Sequence, residues 1–218
     1  MNFIELLIEH YALFFEGAWL TISVTLTATV LALFVGLLIA LMSEVKAKPL
    51  KFFCRIYIEI MRGTPILVVL FLLYYGGPSF GLVLDPVPAG ILGLGFYGAA
   101  YFAEIFRSGF QAIPQGHIEA GEMLGLSKFQ INMRIRLPQM LQIILPAMFV
   151  QIVMMFKESA LLSIITVNEL SKIATQLVNE TSSIVEPYII ITLIYWAVIE
   201  SVAMLGRALE KRFGYGIA

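Results

Sequence analysis

Long uninterrupted apolar runs constrain this chain more than any other feature of its sequence. The segment Ala18–Met42 holds 25 residues without a charged side chain, and an α-helix of about 20 apolar residues crosses the hydrocarbon core of a bilayer. With 60% hydrophobic and only 13% charged residues in 218, the chain is far too apolar for a soluble domain of this size. These runs predict an all-α polytopic membrane protein.

Five predominantly apolar segments predict about five transmembrane helices in a single domain, residues 1–218. The predicted spans are Ala18–Met42, Phe52–Tyr75, Ala89–Phe106, Gln139–Ile164 and Tyr188–Leu205. Arg62-Gly63-Thr64-Pro65 interrupts the second span, and a proline inside a helix removes a hydrogen bond, so a kink or a partly unwound turn is expected there. The third span is rich in glycine and alanine, which allow close helix approach in membranes.

Two polar segments outside the spans also favour helices. Residues 2–16 place apolar side chains at helical spacing against three glutamates, which predicts an amphipathic helix on the outer membrane surface. The segment Thr166–Pro187 predicts a short external helix folded back against the bundle. A cleavable signal peptide needs a basic start, and the first basic residue is Lys46, so the first span is expected to be retained.

The basic residues predict the orientation of the bundle. Of 14 lysine and arginine residues, eleven fall on three segments that the predicted spans place on one side of the membrane. They are Lys46, Lys48, Lys51, Arg55, Arg107, Lys128, Arg134, Arg136, Arg207, Lys211 and Arg212. Loops rich in lysine and arginine stay in the cytoplasm, so the N-terminus is expected outside and the C-terminus inside.

Charge and composition argue against several other functions. The net charge of −1 provides no basic surface for nucleic acid. The single Cys54 forms no internal disulfide, and His10 and His117 are far apart in sequence, so neither a metal site nor a membrane-embedded enzyme is expected. The sequence has no glycine-rich phosphate-binding loop, so no ATP hydrolysis is expected on this chain.

The longest polar interruption lies between the third and fourth spans and has a helix-turn pattern. Pro114 suits the first turn of a helix that Gly125 ends. Ser127 with Gln130 has the spacing of a capping box, which starts a second helix, and Pro138 is expected to close or kink it. The pattern predicts two short cytoplasmic helices around a glycine turn.

The spacing within residues 112–138 resembles the EAA loop of ABC importer permeases. Three residues separate Glu119-Ala120-Gly121 from Gly125, and nine separate Gly125 from Ile135. One further residue separates Ile135 from Leu137-Pro138. The family usually has a second alanine where this chain has Gly121. In that family the loop is the coupling helix, which sits in a cleft of a cytoplasmic ATPase.

Three further segments resemble the polar amino-acid branch of this permease family. They are Arg62-Gly63-Thr64-Pro65, Tyr101-Phe102-Ala103-Glu104-Ile105-Phe106-Arg107 and Lys157-Glu158-Ser159-Ala160-Leu161. The third differs from the usual Lys-Asp-Thr-Ser-Leu, and His117 stands where glutamine is usual. The resemblance implies a dimer of permeases in the bacterial inner membrane, with a homodimer favoured. It also implies two ATPase subunits that hold the ATP and magnesium, an external solute-binding protein, and no cofactor on this chain.

Charged and polar side chains at membrane depth are the candidate substrate contacts, since such charges are costly and usually face a cavity or a partner. Glu158 is expected to face the translocation path and attract the cationic part of an amino acid, with Lys157 and Ser159 beside it. Arg62 and Thr64, at the break in the second span, are expected to serve a substrate carboxylate. The alternative is a fixed ion pair between Glu158 and Lys157 within the bundle.

The remaining candidates concern coupling and gating. The candidate coupling residues are Glu119, Ala120, Gly121, Glu122 and Gly125. Among them, Glu119 is expected to contact the ATPase, Ala120 and Gly121 to allow close approach, and Gly125 to make the turn. Four apolar residues are expected to pack the two short helices against the bundle: Leu124, Leu126, Phe129 and Ile135. The candidate structural or gating residues are Glu104, Arg107, Pro65 and Pro138, and the spacing of Glu104 and Arg107 favours a local ion pair over a gate.

The sequence therefore predicts the permease subunit of an ATP-driven importer for polar amino acids, which forms the translocation path by alternating access. The acidic side chain of Glu158 favours arginine, lysine or histidine as the substrate, with glutamine or another polar amino acid as the alternative. A small ion-coupled secondary transporter is the alternative from a different class. The lack of an internal repeat in the sequence argues against it.

Overall fold

The computed structural model of the chain describes residues 3–45 and 47–213. Two positions used in the predictions, Asn2 at the start of the surface helix and Lys46 among the basic residues, lie outside this part. Within it the chain forms helices and no strand. The α-helices are α1 Phe3–Glu9, α2 Tyr11–Glu44, α3 Lys48–Gly63, α4 Ile66–Phe71, α5 Pro86–Gln111, α6 Gln115–Met123, α7 Lys128–Ile131, α8 Leu137–Glu158, α9 Leu170–Thr181 and α10 Val185–Phe213.

Among the described residues, four helical segments are long and apolar enough to cross a membrane. They are Tyr11–Glu44, Pro86–Gln111, Lys128–Ile165 and Val185–Arg212. A fifth span results if Lys48–Gly63 and Ile66–Phe80, which are bent by 106°, are counted as one. The all-α fold with about five spans is confirmed.

The third span, α5, lies at the centre of the bundle and packs against α2, α3, α4 and α8. A Cβ added to Gly95 of α5 would lie 2.7 Å from Leu31 Cδ2, and a Cβ added to Gly36 of α2 would lie 2.8 Å from Phe102 Cβ. The two helices approach closely because these positions carry no side chain. The role predicted for the small residues is confirmed.

The helix expected within Thr166–Pro187 is α9, and it folds back onto α2 and α10. Its buried face includes Leu170 and Leu177, which belong to the same apolar cluster as Leu6 of α1. Glu169 caps the helix, since its carboxylate accepts hydrogen bonds from the Ser171 and Lys172 N–H groups. The short helix predicted between the last two spans is confirmed.

The helix predicted over residues 2–16 is divided in two. Helix α1 ends at Glu9, His10 leaves the helical region with φ −113° and ψ 19°, and Tyr11 begins the first span. Leu6 is fully buried, so α1 packs onto the bundle. The sequence pattern missed this division because apolar side chains continue at helical spacing across the break.

Pro138 is expected to close or kink the second short helix, and the structure shows that it does not close it. Helix α7 continues through a π-helical turn, Asn132–Arg136, into α8, and Leu137 N donates to Asn132 O. Proline has no N–H, and its ring would clash with the carbonyl four residues earlier in a regular helix. The wider π turn at this point is the kind of local adjustment that accommodates such a residue.

Candidate functional site

The break predicted after Arg62 turns the chain by 106° between α3 and α4. Thr64 (φ −106°, ψ 135°) and Pro65 (φ −61°, ψ 135°) are extended. The extended backbone at Thr64 follows from the proline after it, whose ring disfavours helical geometry at the preceding residue. The interruption predicted in the second span is confirmed, and Arg62 lies in the last turn of α3 beside it.

Arg62 and Arg107 both contact Glu104 of α5. Arg107 donates from Nε and Nη2 to the two carboxylate oxygens at 2.8 and 2.7 Å, and Arg62 Nη1 lies 3.6 Å from Oε2. The local Glu104–Arg107 ion pair is confirmed. Because Arg62 is already paired with a carboxylate of the protein, a substrate carboxylate would have to compete with Glu104 for it.

Two tyrosines extend this polar line along α5. The Arg62 guanidinium lies over the Tyr101 ring, 5.6 Å from its centroid, and the Tyr101 and Tyr97 hydroxyl oxygens are 3.0 Å apart. Tyr97 is buried and within electrostatic reach of Glu158. Tyr97 was not predicted as a site residue. The available signal was polar side chains at 97, 101 and 104, which share one helix face.

Glu158 is half-buried at the end of α8, and its Oε2 atom is buried without a hydrogen-bond partner. Lys157 is exposed, and no ion pair joins it to Glu158 in the part of the chain that the structure describes. The alternative of a fixed Glu158–Lys157 pair is therefore not observed. A carboxylate oxygen that is buried and unpaired is costly, which makes Glu158 the strongest candidate for binding a cation.

The other predicted substrate contacts lie in different surroundings. Ser159 is fully buried directly after α8, and its Oγ donates to Phe156 O of that helix at 2.8 Å. Thr64 is half-buried at the break. No hydrogen bond or ion pair among the described residues joins Arg62 or Thr64 to Glu158, so the predicted contacts do not form one cluster.

The glycine turn of the coupling stretch has the predicted form. Gly125 has φ +74°, a backbone region that glycine adopts without strain. Its N–H donates to Glu122 O at 2.9 Å, and Leu126 N donates to Gly121 O at 3.1 Å. This pair of hydrogen bonds is the Schellman arrangement that ends a helix at glycine.

The start of the next helix also follows the prediction. Ser127 N donates to Gln130 Oε1 at 2.8 Å, and Gln130 N donates to Ser127 Oγ at 3.3 Å. The capping box is confirmed. Pro114 lies one position before α6 and not within its first turn.

Gly121 packs within the chain. A Cβ at Gly121 would lie 2.8 Å from Ile135 Cδ1 and 3.2 Å from Ile131 Cγ1. The missing side chain lets α6 pack closely against the helix that leads into the fourth span. Ala120 is exposed beside it, so of the two small residues only Ala120 presents its side chain at the surface.

The prediction that Leu124 and Phe129 pack against the bundle is wrong. Leu124 is 80% and Phe129 72% exposed, and the neighbouring Met123 is 91% exposed. The predicted coupling residues Glu119 and Glu122 are exposed as well. An exposed apolar patch rimmed by polar side chains marks an interaction surface. We call Met123, Leu124 and Phe129 the apolar patch.

Two contacts tie the coupling stretch to the spans. Arg136 forms an ion pair with Glu44 at the end of α2, with Nη2 3.5 Å from Oε1, and its guanidinium lies over the Phe110 ring of α5 at 5.3 Å. His117 Nδ1 of α6 lies 2.8 Å from Gln139 Oε1 of α8. The coupling stretch is thereby joined to three spans.

Residues 32–215 match the family model for the binding-protein-dependent transport system inner membrane component. The chain belongs to this family. It is 35% identical over 211 residues to YckA of Bacillus subtilis (strain 168), named a probable amino-acid ABC transporter permease protein, with 97% of this chain and 93% of that protein covered. It is 29% identical over 198 residues to the arginine transport system permease protein ArtQ of the same organism, with 90% of each covered.

This inner membrane component also resembles a crystal structure described as an amino acid ABC transporter with histidines. The identity is 35%, the TM-score is 0.91, and 97% of this chain and 99% of that chain are covered. Together these findings make the chain an amino-acid ABC permease subunit, a multi-pass protein of the bacterial inner membrane. Such subunits are non-catalytic, and the ATPase is a separate partner.

Proposed function

We propose that this permease subunit carries a polar amino acid with a cationic side chain (arginine, lysine or histidine) and that Glu158 attracts the cationic group. The single observation that carries the proposal is the buried Oε2 atom of Glu158, which lacks a hydrogen-bond partner. A substrate guanidinium or ammonium group would donate to that oxygen, and a charge-assisted hydrogen bond offsets the cost of burying a carboxylate.

The polar face of α5 is the proposed continuation of the path. The Tyr97 and Tyr101 hydroxyl groups contact each other, and the Tyr101 ring lies against Arg62, the partner of Glu104. Hydroxyl groups both donate and accept hydrogen bonds, so they suit either charged group of an amino acid. Thr64 at the break is a further candidate contact for the substrate carboxylate.

We also propose that α6 docks on the ATPase through the apolar patch and the exposed Glu119, Ala120 and Glu122. The high exposure of Met123, Leu124 and Phe129 supports this. Basic residues cluster at the same end of the bundle, which favours a cytoplasmic position for it. The working assembly would then hold two permease copies, two ATPase subunits with ATP and magnesium, and an external solute-binding protein.

The test is the ATPase activity of the purified permease–ATPase complex in lipid, with a panel of amino acids at high concentration and no binding protein. We expect arginine, lysine or histidine to stimulate the wild type but not Glu158→Gln, which removes the charge and keeps the shape. Glu180→Gln on α9 is the matched control, because Glu180 is exposed and its carboxylate accepts a hydrogen bond from Gln176 of its own helix.

Two other outcomes would contradict the proposal. Stimulation by glutamine alone, unchanged in Glu158→Gln, would favour the alternative of a permease for uncharged polar amino acids. No response to any amino acid would mean that recognition lies on the binding protein and that Glu158 has a structural role.

A further inference from the structure

A polar cavity lies where α2, α3 and α5 meet, at the end of the bundle that carries the coupling stretch. Its volume is about 430 Å³, within the range of small-molecule sites. It is lined by Ser43, Lys51, Arg55, Ile58, Glu59, Arg62, Glu104 and Arg107. Glu158 is not among these residues, whereas Arg62 and Glu104 are, so the cavity adjoins the proposed path at the Arg62–Glu104 pair and does not include Glu158.

The charges around the cavity do not balance. Four basic side chains face two carboxylates: Arg62 and Arg107 share Glu104, and Arg55 pairs with Glu59. Lys51 has no ion pair among the residues that the structure describes. The lining therefore has two positive charges in excess, which favours a ligand with an anionic group.

The carboxylate of Glu59 gives the cavity a second recognition element. Its side chain is 61% exposed and that of Arg55 is 79% exposed, so both can exchange their mutual contact for a ligand. An α-amino acid carries a carboxylate and an ammonium group one carbon apart. Such a molecule would place its carboxylate near Lys51 and Arg55 and its ammonium group near Glu59.

We propose that this cavity is a second amino-acid site, which binds the α-carboxylate of the transported molecule at Lys51 and Arg55 as it leaves the permease. The inference rests on the proposed function, because it takes the ligand to be the transported amino acid. Occupancy of the cavity stabilises the conformation in which it is open. Amino acid supplied from this side therefore slows turnover.

The head group of an anionic phospholipid carries a net negative charge as a carboxylate does, and Phe52 and Phe53 of α3 are exposed to the surroundings of the bundle. A site for an amino acid and a site for a lipid head group differ in the lipid composition that they require. Amino-acid inhibition occurs in bilayers of neutral lipid, whereas a lipid site needs anionic lipid.

The test uses liposomes of neutral phospholipid that contain the complete complex with its ATPase subunits facing outwards, and binding protein and L-arginine inside. L-Arginine is added outside, and ATP hydrolysis is measured. Agmatine, which lacks the carboxylate, and L-glutamine are compared in parallel. We expect L-arginine to inhibit, agmatine not to inhibit, and Lys51→Ala to raise the half-inhibitory concentration roughly tenfold, since a hydrogen bond to a charged group contributes about 1.5 kcal/mol or more.

Lys48→Ala is the matched control, because Lys48 is exposed on the same helix but does not line the cavity. Lys51→Arg should restore inhibition. The proposal is overturned if neither L-arginine nor L-glutamine inhibits the wild type. It is also overturned if Lys51→Ala leaves the half-inhibitory concentration of L-arginine unchanged, or if inhibition requires anionic lipid. Glu158→Gln separates the two proposals, since it tests stimulation by substrate and leaves the cavity intact.

Discussion

At the scale of single residues, the two glycines of the coupling stretch serve different purposes. Gly125 supplies a positive φ of +74°, in agreement with the prediction that this glycine ends the helix and makes the turn. Gly121 replaces an alanine that is usual in the family, and the sequence did not indicate why. A Cβ at this position would come too close to Ile131 and Ile135, which explains the glycine and depends on how α6 packs in three dimensions.

We expect Gly125→Pro to abolish association with the ATPase while leaving membrane insertion intact. Proline holds φ near −65° and has no N–H, so both hydrogen bonds that end α6 are lost or displaced. Gly125→Asn is the control, since asparagine adopts positive φ at a cost of about 1 kcal/mol. Co-purification of a tagged ATPase checks both variants. Full retention of the ATPase by the proline variant would contradict this role of the turn.

The predicted substrate contacts show where prediction from residues ends. Charge at membrane depth correctly drew attention to Glu158, whose buried oxygen has no partner. Arg62 was expected to be available to a carboxylate, but it is paired with Glu104. Tyr97 was missed, because a tyrosine in an apolar run has the same sequence signature whether it contacts lipid or lines a polar face.

At the scale of elements, local signals were reliable at caps and breaks and unreliable where helices pack. The capping box at Ser127 and the break at Pro65 depend on neighbouring residues, and both are confirmed. The continuation of α7 past Pro138 depends on the π turn. That turn also brings Arg136 to Glu44, a contact between residues distant in sequence that no local pattern predicts.

We expect Arg136→Glu to weaken the coupling of ATP hydrolysis to transport. The change places two carboxylates together at a half-buried position. We expect this to make the free energy of the contact between residue 136 and Glu44 less favourable by about 1–2 kcal/mol. The ratio of ATP hydrolysed to amino acid transported should rise. Arg134→Glu is the matched control, because Arg134 is exposed and has no ion pair among the described residues.

The double variant Glu44→Arg with Arg136→Glu should recover part of the coupling, since it restores opposite charges but not the cation over the Phe110 ring. A purely local packing role of Arg136 would leave the double variant no better than Arg136→Glu. That result would exclude the ion pair as the connection between the coupling stretch and the first span.

At the scale of the whole molecule, apolar segments predicted the number of spans, and the residue spacing of the coupling stretch predicted the family. Hydrophobicity alone determines which segments enter a bilayer, so this part needed no tertiary information. The arrangement of α1, α9 and α10 could not be predicted without tertiary information. Their shared cluster, which includes Leu6, Leu177 and Ile190, depends on which faces meet.

The stability of this cluster should depend on pH through Glu169. Burial raises the pKa of the Glu169 carboxyl, although hydrogen bonds from Ser171, Lys172 and Tyr195 oppose the shift. The folded protein holds this proton more tightly than the unfolded protein does. The contribution of Glu169 to the free energy of unfolding is therefore greatest at low pH and is lost as the pH rises through the raised pKa.

Melting curves of the wild type and Glu169→Gln between about pH 4 and 8 test this. The wild type should lose more stability than the variant as the pH rises, because glutamine does not titrate. If the stability of the wild type and that of the variant change in parallel with pH, the pKa of Glu169 is the same in the folded and the unfolded protein, and the prediction is wrong.

The central claim is that this chain is the membrane path of an ATP-driven amino-acid importer. Reconstituted liposomes with binding protein on one side and ATP on the other test it most directly, with accumulation of labelled arginine, histidine and glutamine as the readout. We predict accumulation against a gradient that requires ATP and the ATPase subunits and persists when proton and sodium gradients are collapsed. Accumulation by the permease alone, driven by an ion gradient without ATP, would contradict the claim.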